Sequence, residues 1–191
     1  MTVLIGIQTD KGAYIGADSQ TTSYWHLKQS GTQKITKKDG FVFACCGMAK
    51  GSSSIPHRWV APKRGHKQPA EEYIFKEFSP NMLKFLEDEN CIVKFNSQTL
   101  SEVNMVFSYE GQLYTFETCG HVTKVNDYIA SGCGLEFAYG SLFSTERMIS
   151  ENEEIEMEDY IEYRIKLAID AAGHFDTFCN DDVQIEFQEK V

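Results

Sequence analysis

The sequence predicts an α+β fold in which two antiparallel β-sheets stack face to face and helices cover both outer sides. The chain has 191 residues, a length that suits one domain spanning residues 1–191. The predicted elements run in the order hairpins, helix, meander, two helices and strand, whereas parallel α/β folds alternate strand and helix. The predicted strands are apolar along nearly their whole length, which indicates that both of their faces are covered.

Two β-hairpins are predicted at the start of the chain. Val3–Gln8 is rich in β-branched residues and is separated by a turn from a second apolar run, Ala13–Asp18. The pattern repeats with Gln33–Thr36 and Phe41–Cys46. The next segment, Gly51–Pro69, carries the serines and prolines that are typical of a surface loop.

The rest of the chain is predicted to contain three helices and four strands. Aromatic and apolar side chains recur at helical spacing over Ala70–Glu89, and Pro80 is expected to kink or divide this helix. The remaining elements are a three-strand meander, two helices and a closing strand, namely Val103–Tyr109, Leu113–Thr118, Val122–Ile129, Ser131–Ile149, Met157–Phe175 and Val183–Phe187.

Charge and composition argue against several classes of function. The formal net charge of −10 disfavours a nucleic-acid partner, because binding phosphates requires clustered Lys and Arg. Acidic residues concentrate in Ser150–Glu162, which is predicted to be a solvated helix flank. No apolar run approaches the roughly 20 residues of a membrane span. We therefore expect neither a nucleic-acid nor a membrane partner.

The six cysteines indicate a reducing compartment. They form no CxxC pair, and two of them, Cys45 and Cys46, are adjacent, which suits neither zinc nor an ordinary disulfide. The opening residues Met1–Ile7 are too short for a secretory signal and are soon followed by charged residues. We expect a cytoplasmic protein with no metal site and no cofactor.

Candidate chemistry begins at the N-terminus. Thr2 follows the initiator Met1 directly, and threonine is small enough for that methionine to be removed. The product carries a hydroxyl and a free α-amine on neighbouring carbons. An α-amine has a pKa near ~8 and can act as the base that activates the hydroxyl. Thr2 is therefore a candidate nucleophile that supplies its own base.

Two charged residues are expected to lie near Thr2. Asp18 ends the second predicted strand and Lys34 lies in the third, and antiparallel hairpins return strand ends to the neighbourhood of their starts. A lysine there would lower the pKa of the amine by repulsion between like charges. Asp18 would keep that lysine charged and oriented.

Several blocks of the sequence, in order, resemble the β-subunits of the proteasome. They are Thr2–Ile7, Gly16-Ala17-Asp18, Gln33-Lys34-Ile35, Cys46-Gly47, Ala130-Ser131-Gly132, and Ala171-Ala172 with Asp176. The pattern is also similar to the simpler bacterial peptidase of that family, which partners an ATP-driven unfoldase. The resemblance covers nearly the whole chain except residues 50–89, and the intervals from Thr2 to Asp18 and to Lys34 match without a gap.

The resemblance implies a four-layer αββα sandwich of the N-terminal-nucleophile (Ntn) hydrolase class. It also implies peptide-bond hydrolysis through an acyl-enzyme ester on Thr2. Ser131, at the start of a helix, corresponds to the serine that hydrogen-bonds the terminal amine, and Asp176 to the aspartate that supports this serine. The backbone N–H of Gly47 would donate to the oxyanion.

Two segments differ from the family pattern. The residues after Gly47, in particular Gly51–Pro56, are predicted not to form the long helix that lines the substrate channel in the family. Cys179-Asn180 stands where the family commonly has Ser-Gly.

The resemblance also implies partners and leaves alternatives open. It implies a homo-oligomeric ring that acts on peptides or unfolded proteins, and it admits an ATP-driven unfoldase as partner. The basic segment Gly51–Pro69 is expected to contact the acidic run Glu151–Glu158 of a neighbouring subunit. Two other hypotheses remain: a non-catalytic Ntn-fold subunit used for assembly or binding, and a small-molecule amidase of the same fold.

Overall fold

A computed structural model describes residues 2–23, 27–95, 98–146 and 156–191. Within these ranges helix and strand are mixed, as the sequence predicts. The strands are, in chain order, β1 Val3–Gln8, β2 Gly12–Asp18, β3 Thr21–Ser23, β4 Leu27–Gln29, β5 Ile35–Lys38, β6 Phe41–Gly47, β7 Ile92–Phe95, β8 Gln98–Ser101, β9 Val103–Tyr109, β10 Gln112–Phe116, β11 Val122–Val125, β12 Tyr128–Gly132 and β13 Val183–Glu189.

The helices fall into two groups along the chain. The first group is α1 Ala49–Arg58, α2 Ala70–Tyr73, a π-helical turn Ile74–Phe78 and α3 Ser79–Asp88. The second group is α4 Leu135–Glu146 and α5 Met157–Phe175. None of the helices in the described ranges is long and apolar enough to span a membrane.

Two antiparallel sheets carry the fold. The first has the strand order β12-β1-β2-β13, and the second has the order β11-β10-β9-β6-β5. Two further hairpins, β3-β4 and β7-β8, form small sheets of their own. Because β1 lies between β12 and β2, residues at the start of β1 are adjacent to the ends of both neighbouring strands.

The alternation of side chains along β1 shows why its sequence is apolar throughout. Successive side chains of a strand point to opposite faces. Val3, Ile5 and Ile7 belong to an apolar cluster that also contains residues of α4 and α5. Leu4 belongs to a second cluster, shared with residues of the other sheet such as Val106. Both faces of β1 are therefore covered, as its composition predicts.

A third apolar cluster joins the second sheet to the first group of helices. Its aromatic centre includes Phe41 and Phe43 of β6, Phe78 of the π-helical turn and the buried Trp59. Phe41 and Phe78 stack with ring centroids 4.9 Å apart, and Trp59 meets Phe43 edge to face at 5.3 Å. Such ring contacts add to the free energy gained from burying their large apolar surfaces.

The predicted loop Gly51–Pro69 is wrong in its first part, because α1 forms a helix from Ala49 to Arg58. Serine and an internal proline are poor helix formers, so tertiary contacts outweigh local preference here. Ile55 is buried in the aromatic cluster. The buried Glu89 accepts hydrogen bonds from Ser54 Oγ and Arg58 Nη1, both at 3.0 Å.

Two other boundaries also differ from the prediction. The predicted strand Val122–Ile129 is two strands in different sheets, β11 and β12, of which β11 completes the meander. The predicted helix Ser131–Ile149 begins only at Leu135, so Ser131 lies in β12 and not at a helix start. The helix Met157–Phe175 is confirmed.

The predicted helix Ala70–Glu89 is confirmed, but its irregularity lies upstream of Pro80. The π-helical turn Ile74–Phe78 comes before it, and Pro80 occupies the first turn of α3. Proline has no N–H to donate and its ring crowds the carbonyl four residues earlier. A wider turn before Pro80 accommodates both effects.

Candidate active site

Thr2 is buried at the point where three strands meet. It directly precedes β1 and is 2% exposed. Asp18 ends β2, and the pairing of β1 with β2 sets Leu4 opposite Ala17. Gly132 ends β12 opposite Val3. Side chains from β2 and from the end of β12 therefore reach Thr2 from opposite sides.

The hydroxyl of Thr2 lies between Asp18 and Lys34. Thr2 Oγ1 donates to Asp18 Oδ1 and accepts a hydrogen bond from Lys34 Nζ. Lys34 Nζ is also 2.6 Å from Asp18 Oδ1, and the side chains of this ion pair are 7% and 0% exposed. The structure thus brings together the three residues that the sequence nominates for proton handling.

Asp18 is held by the backbone around it. Its Oδ1 accepts the N–H of Val3 at 2.9 Å, and its Oδ2 accepts the N–H of Gln20 at 3.1 Å. Hydrogen bonds of this kind fix the orientation of a carboxylate. Asp18 is therefore held in one position beside Lys34.

Lys34 reaches Thr2 by a route that differs from the predicted hairpin. It lies just before β5, which is an edge strand of the second sheet. Its N–H donates to Oε1 of Gln184 on β13 at 2.9 Å, and Gln184 Nε2 donates to the carbonyl of Thr32 at 2.6 Å. Gln184 thus fixes the segment before Lys34 to the first sheet.

Burial changes the proton affinity of Lys34. Desolvation lowers its pKa from the ordinary value of a lysine, and the charge and hydrogen bond of Asp18 oppose this shift. A lysine with a lowered pKa loses a proton more readily than an exposed one. The hydrogen bond to Thr2 Oγ1 directs this group at the candidate nucleophile.

A cleft of about 660 Å³ opens beside Thr2. Its lining includes Thr2, Lys34, Gly47 and several residues of α1, among them Lys50 and Ser53. The helix that the sequence did not predict therefore forms one wall of the cleft. A volume of this size is in the usual range for small-molecule and peptide side-chain sites.

Gly47 ends β6 at the border of this cleft and cannot be replaced easily. Its φ is +102°, in the region that favours glycine. A Cβ at this position would lie 2.0 Å from the carbonyl oxygen of Glu102. The next N–H, of Met48, donates to the same carbonyl at 2.9 Å. Gly47 and Thr2 thus line the same cleft.

The expectation for Ser131 is wrong, because Cys133 contacts the nitrogen of Thr2. Thr2 N donates to Cys133 Sγ at 3.2 Å, and Cys133 N donates to the Thr2 carbonyl at 2.9 Å. Ser131 pairs instead with Leu4, and its Oγ lies 3.7 Å from Cys46 Sγ. The strand β12 ends one residue beyond Ser131, at Gly132 opposite Val3, and the next residue, Cys133, is level with Thr2.

Asp176 also supports a cysteine and not Ser131. Its Oδ1 accepts the N–H of Phe178 at 2.9 Å, and its Oδ2 lies 3.9 Å from Cys179 Sγ. Cys179 Sγ is in turn 3.7 Å from Cys133 Sγ. A chain of side chains therefore runs from Asp176 through Cys179 and Cys133 to the nitrogen of Thr2.

The two thiols of this chain have different proton affinities. The hydrogen bond from Cys179 lowers the pKa of Cys133, which is the more exposed of the two. The same hydrogen bond, together with burial, raises the pKa of Cys179. Cys133 is therefore the thiol that ionises first.

Sequence reasoning missed Cys133, because the position of this residue depends on the register of β12 against β1. Because β12 pairs antiparallel with β1 and its last residue, Gly132, is opposite Val3, the residue after β12 is beside Thr2. The sequence Gly132-Cys133-Gly134 marks this point, since φ of Gly132 is +94° and a Cβ there would lie 2.2 Å from the Thr2 carbonyl oxygen. The register, and not the residue type, identifies the contact.

Comparisons with known proteins find similar folds among solved structures but no matching family model. No protein-family model matches the chain, and no curated protein matches it. Among solved structures, BPH of Thiobacillus denitrificans aligns with a TM-score of 0.79 at 15% identity, over 99% of this chain and 98% of that one. Its complex with epoxomicin aligns with a TM-score of 0.77 at 14% identity, over 99% of both chains.

Two further structures share the fold. The Gly-1 mutant of Anbu from Hyphomicrobium sp. strain MC1 has a TM-score of 0.68 at 12% identity, with 99% of this chain and 82% of that one covered. Eukaryotic HslV from Trypanosoma brucei has a TM-score of 0.63 at 13% identity, with 98% and 99% covered. The predicted resemblance to proteasome-type threonine peptidases is thus confirmed at the level of the fold.

Proposed function

We propose that this chain is a threonine-type peptidase subunit in which Thr2, exposed by removal of Met1, is the nucleophile. The observation that carries the proposal is the position of the Thr2 hydroxyl between Lys34 and Asp18, beside an open cleft. Met1 itself is outside the described residues. The fold similarity supports the class of reaction, and the hydrogen bonds of Thr2 support the choice of residue.

In the proposed reaction, Thr2 Oγ1 attacks the carbonyl carbon of a peptide bond. The α-amine, freed when Met1 is removed, takes the hydroxyl proton and later gives it to the leaving amine. Lys34 donates to the oxygen of Thr2 as negative charge develops there. The acyl-enzyme ester that results is hydrolysed by water, which restores Thr2.

The oxyanion of the tetrahedral intermediate needs a donor on the cleft side of Thr2. The backbone N–H of Gly47 is the proposed donor, because Gly47 borders the cleft at the end of β6. A preorganised backbone donor of this type contributes about 3 kcal/mol to transition-state stabilisation. The close approach of Glu102 to Gly47 holds the backbone in one orientation.

The finer architecture that we propose is the four-layer αββα sandwich of Ntn hydrolases. One apolar cluster contains residues of both main sheets. The other two clusters join each sheet to its own group of helices. Three successive cores of this kind are what four stacked layers require.

We further propose a cytoplasmic homo-oligomeric ring that acts on peptides or unfolded proteins, with an ATP-driven unfoldase as a further partner. The resemblance implies this assembly, which encloses the active sites. The expected contact between Gly51–Pro69 and the acidic run is less favoured, because Arg58 and Arg64 form ion pairs with Glu89 and Glu110 of their own chain. Most of that acidic run lies outside the described residues. Light scattering coupled to size exclusion tests the assembly.

The experiment compares Thr2→Ala with Thr2→Ser, with Thr123→Ala on the exposed face of β11 as the matched control. Intact mass first establishes that Met1 is absent in every variant. Turnover of fluorogenic peptides should fall at least about a hundredfold in Thr2→Ala, because the nucleophile is lost. Thr2→Ser keeps a hydroxyl and should retain measurable turnover, and Thr123→Ala should match the wild type.

Epoxomicin provides a second readout, since BPH was solved in complex with it. We expect epoxomicin to raise the melting temperature of the wild-type protein and to have little effect on Thr2→Ala. Turnover by Thr2→Ala at the wild-type rate would refute the assignment of the nucleophile. A processed wild-type protein with no turnover of any peptide would favour the non-catalytic subunit.

A further inference from the structure

Three potential metal ligands meet on the amine side of Thr2. Cys133 follows β12, Asp176 follows α5, and Cys179 lies in the segment that leads to β13. One ligand atom from each lies within 4.8 Å of the others. Because the two cysteines are 46 residues apart in the sequence, they form no CxxC motif. Sequence reasoning therefore did not predict this cluster.

Two of the distances between these atoms are close to those of a tetrahedral zinc site, and the third is within 4.8 Å. Zn–S bonds of about 2.3 Å set two sulfur ligands about 3.8 Å apart in a tetrahedron, and Cys133 Sγ is 3.7 Å from Cys179 Sγ. A sulfur and a carboxylate oxygen would be about 3.6 Å apart, and Cys179 Sγ is 3.9 Å from Asp176 Oδ2. A disulfide would require the sulfurs to move to about 2.0 Å.

The carboxylate of Asp176 is already oriented for this role. Its Oδ1 accepts the N–H of Phe178 at 2.9 Å, which fixes the plane of the group and leaves Oδ2 on the side of Cys179. Hydrogen bonds from the backbone to a ligating carboxylate commonly fix its orientation in metal sites. Cys133 is exposed, so an ion can reach the cluster from solvent.

We propose that Cys133, Asp176 and Cys179 bind Zn²⁺ and that the Thr2 nitrogen is its fourth ligand once Met1 has been removed. This nitrogen is 3.2 Å from Cys133 Sγ, close to the separation of about 3.5 Å expected for nitrogen and sulfur ligands of one zinc ion. The fourth ligand rests on the proposed function, because only a processed chain has a free α-amine at Thr2.

Zinc at this site inhibits the proposed peptidase. The two thiols release their protons to solvent and bind as thiolates, and no oxidation takes place. The α-amine gives its lone pair to the metal, so it can no longer accept the proton of the Thr2 hydroxyl. The sulfur ligands select a borderline-soft ion such as Zn²⁺ over Mg²⁺ and Ca²⁺, which prefer oxygen.

The direct test measures metal binding by the processed full-length protein in a non-thiol reductant. Titration with Co²⁺ should produce a thiolate-to-cobalt charge-transfer band that saturates at one ion per chain, and Zn²⁺ should displace it. Cys133→Ser and Cys179→Ser should each weaken zinc binding at least about tenfold. Even the loss of a residue that only hydrogen-bonds a metal ligand commonly has an effect of about this size. Cys119→Ser removes a different exposed cysteine and should leave binding unchanged.

Circular dichroism and melting temperatures establish that both serine variants are folded, and Asp176→Asn provides a third variant that keeps both thiols. If all three variants bind zinc as tightly as the wild type and Cys119→Ser do, the proposal is overturned. Failure of the wild type to bind either ion would also overturn it. So would intact mass showing that the two cysteines have lost two hydrogens to a disulfide in the reduced preparation.

A second measurement separates this proposal from the proposed function. Thr2→Ala keeps the α-amine and all three side-chain ligands, so it should bind zinc like the wild type whether or not Thr2 is the nucleophile. In active wild-type protein, zinc should inhibit peptide cleavage and a chelator should restore it. Cys133→Ser should need at least about tenfold more zinc for half inhibition of its own zinc-free rate. Bound zinc with undiminished turnover would overturn the role of the amine as ligand.

Discussion

The hydroxyl side and the amine side of Thr2 differ in burial and in the hydrogen bonds that they make. On the hydroxyl side, Asp18 is fully buried and accepts hydrogen bonds from Thr2, Val3, Gln20 and Lys34. On the amine side, contacts to sulfur are 3.2–3.9 Å long, and Cys133 is exposed. The first side is thus shielded from solvent, whereas the second side is open to it.

This difference has an energetic basis. Burying an ion pair carries a desolvation cost that close contacts and additional hydrogen bonds must offset. The carboxylate of Asp18 receives such hydrogen bonds from the backbone N–H groups of Val3 and Gln20. For Lys34, the ion pair with Asp18 offsets only part of the desolvation. Thiols are weaker hydrogen-bonding groups and behave largely as small apolar side chains, so the amine side can stay open without a comparable cost.

The largest effects are expected from breaking the ion pair of Asp18 and Lys34. Asp18→Ala or Lys34→Met leaves one buried charge without its partner, which should lower the free energy of unfolding by about 3–5 kcal/mol. Turnover of peptides should also fall at least about a hundredfold, because each residue contacts Thr2 Oγ1. Urea unfolding and peptide kinetics measure the two effects.

A double-mutant cycle provides the control for this prediction. Asp18→Ala/Lys34→Met removes both charges and should be destabilised by less than the sum of the single changes. Lys11→Met breaks an ion pair with Glu158 in which both side chains are mostly exposed, and it should leave stability unchanged. Additive effects in the cycle would show that the buried pair is not coupled.

The hydroxyl side and the amine side of Thr2 also differ in how well the sequence predicted them. Asp18 could be predicted, because a single tight hairpin returns the end of β2 to the start of β1. Lys34 was predicted to be near, but its position depends on Gln184, a residue 150 positions away in the sequence. Strand alternation could not show this contact, because it joins residues of the two different sheets.

The amine side was predicted incorrectly because it depends on register. The contact between Thr2 and Cys133 joins residues 131 positions apart in the sequence. If the register were shifted by two residues, Ser131 would occupy the position of Cys133. Nothing in the local sequence fixes such a register. Helix α1 was missed for a related reason, since buried Ile55 and the contacts of Glu89 stabilise a segment whose residues are poor helix formers.

A smaller effect is expected on the amine side. Cys133→Ala removes the side-chain acceptor for the Thr2 nitrogen and should lower kcat about tenfold, with little change in KM, because it positions the amine and does not bind the peptide. Cys133→Ser restores an acceptor and should recover most of the rate. Steady-state kinetics of both variants in the presence of a chelator separate this effect from metal binding.

The pH profile of kcat sharpens the same prediction. If Cys133 positions the amine, Cys133→Ala should shift the acidic limb of the profile, which reports the group that must be unprotonated. A variant that only loosens the structure would lower kcat equally at every pH. Equal rates in Cys133→Ala and the wild type would show that the contact has no part in turnover.

The smallest effect is the pH dependence of stability that Lys34 contributes. Burial lowers the pKa of Lys34 from 10.5, partly opposed by Asp18, so the folded protein loses this proton at a lower pH than the unfolded chain does. Between the lowered pKa and 10.5 the unfolded state binds more protons, and the free energy of unfolding therefore rises with pH. This contribution is complete above 10.5 and is lost as pH falls through the folded-state pKa. Cys133 and Cys179 also face this lysine, and any negative charge on them acts in the same direction as Asp18.

Comparison of the wild type with Lys34→Met isolates this contribution, because other titrating groups cancel in the difference. The wild type should gain stability relative to Lys34→Met as the pH is raised from neutral towards 10.5, measured by urea unfolding at each pH. Lys76 is the matched control, since its exposed pair with Glu72 raises its pKa. The wild type should therefore lose stability relative to Lys76→Met over the alkaline range, or show no measurable change. If the wild type instead loses stability relative to Lys34→Met as the pH rises, the prediction is wrong. The attraction of Asp18 then outweighs the effect of burial on the pKa of Lys34.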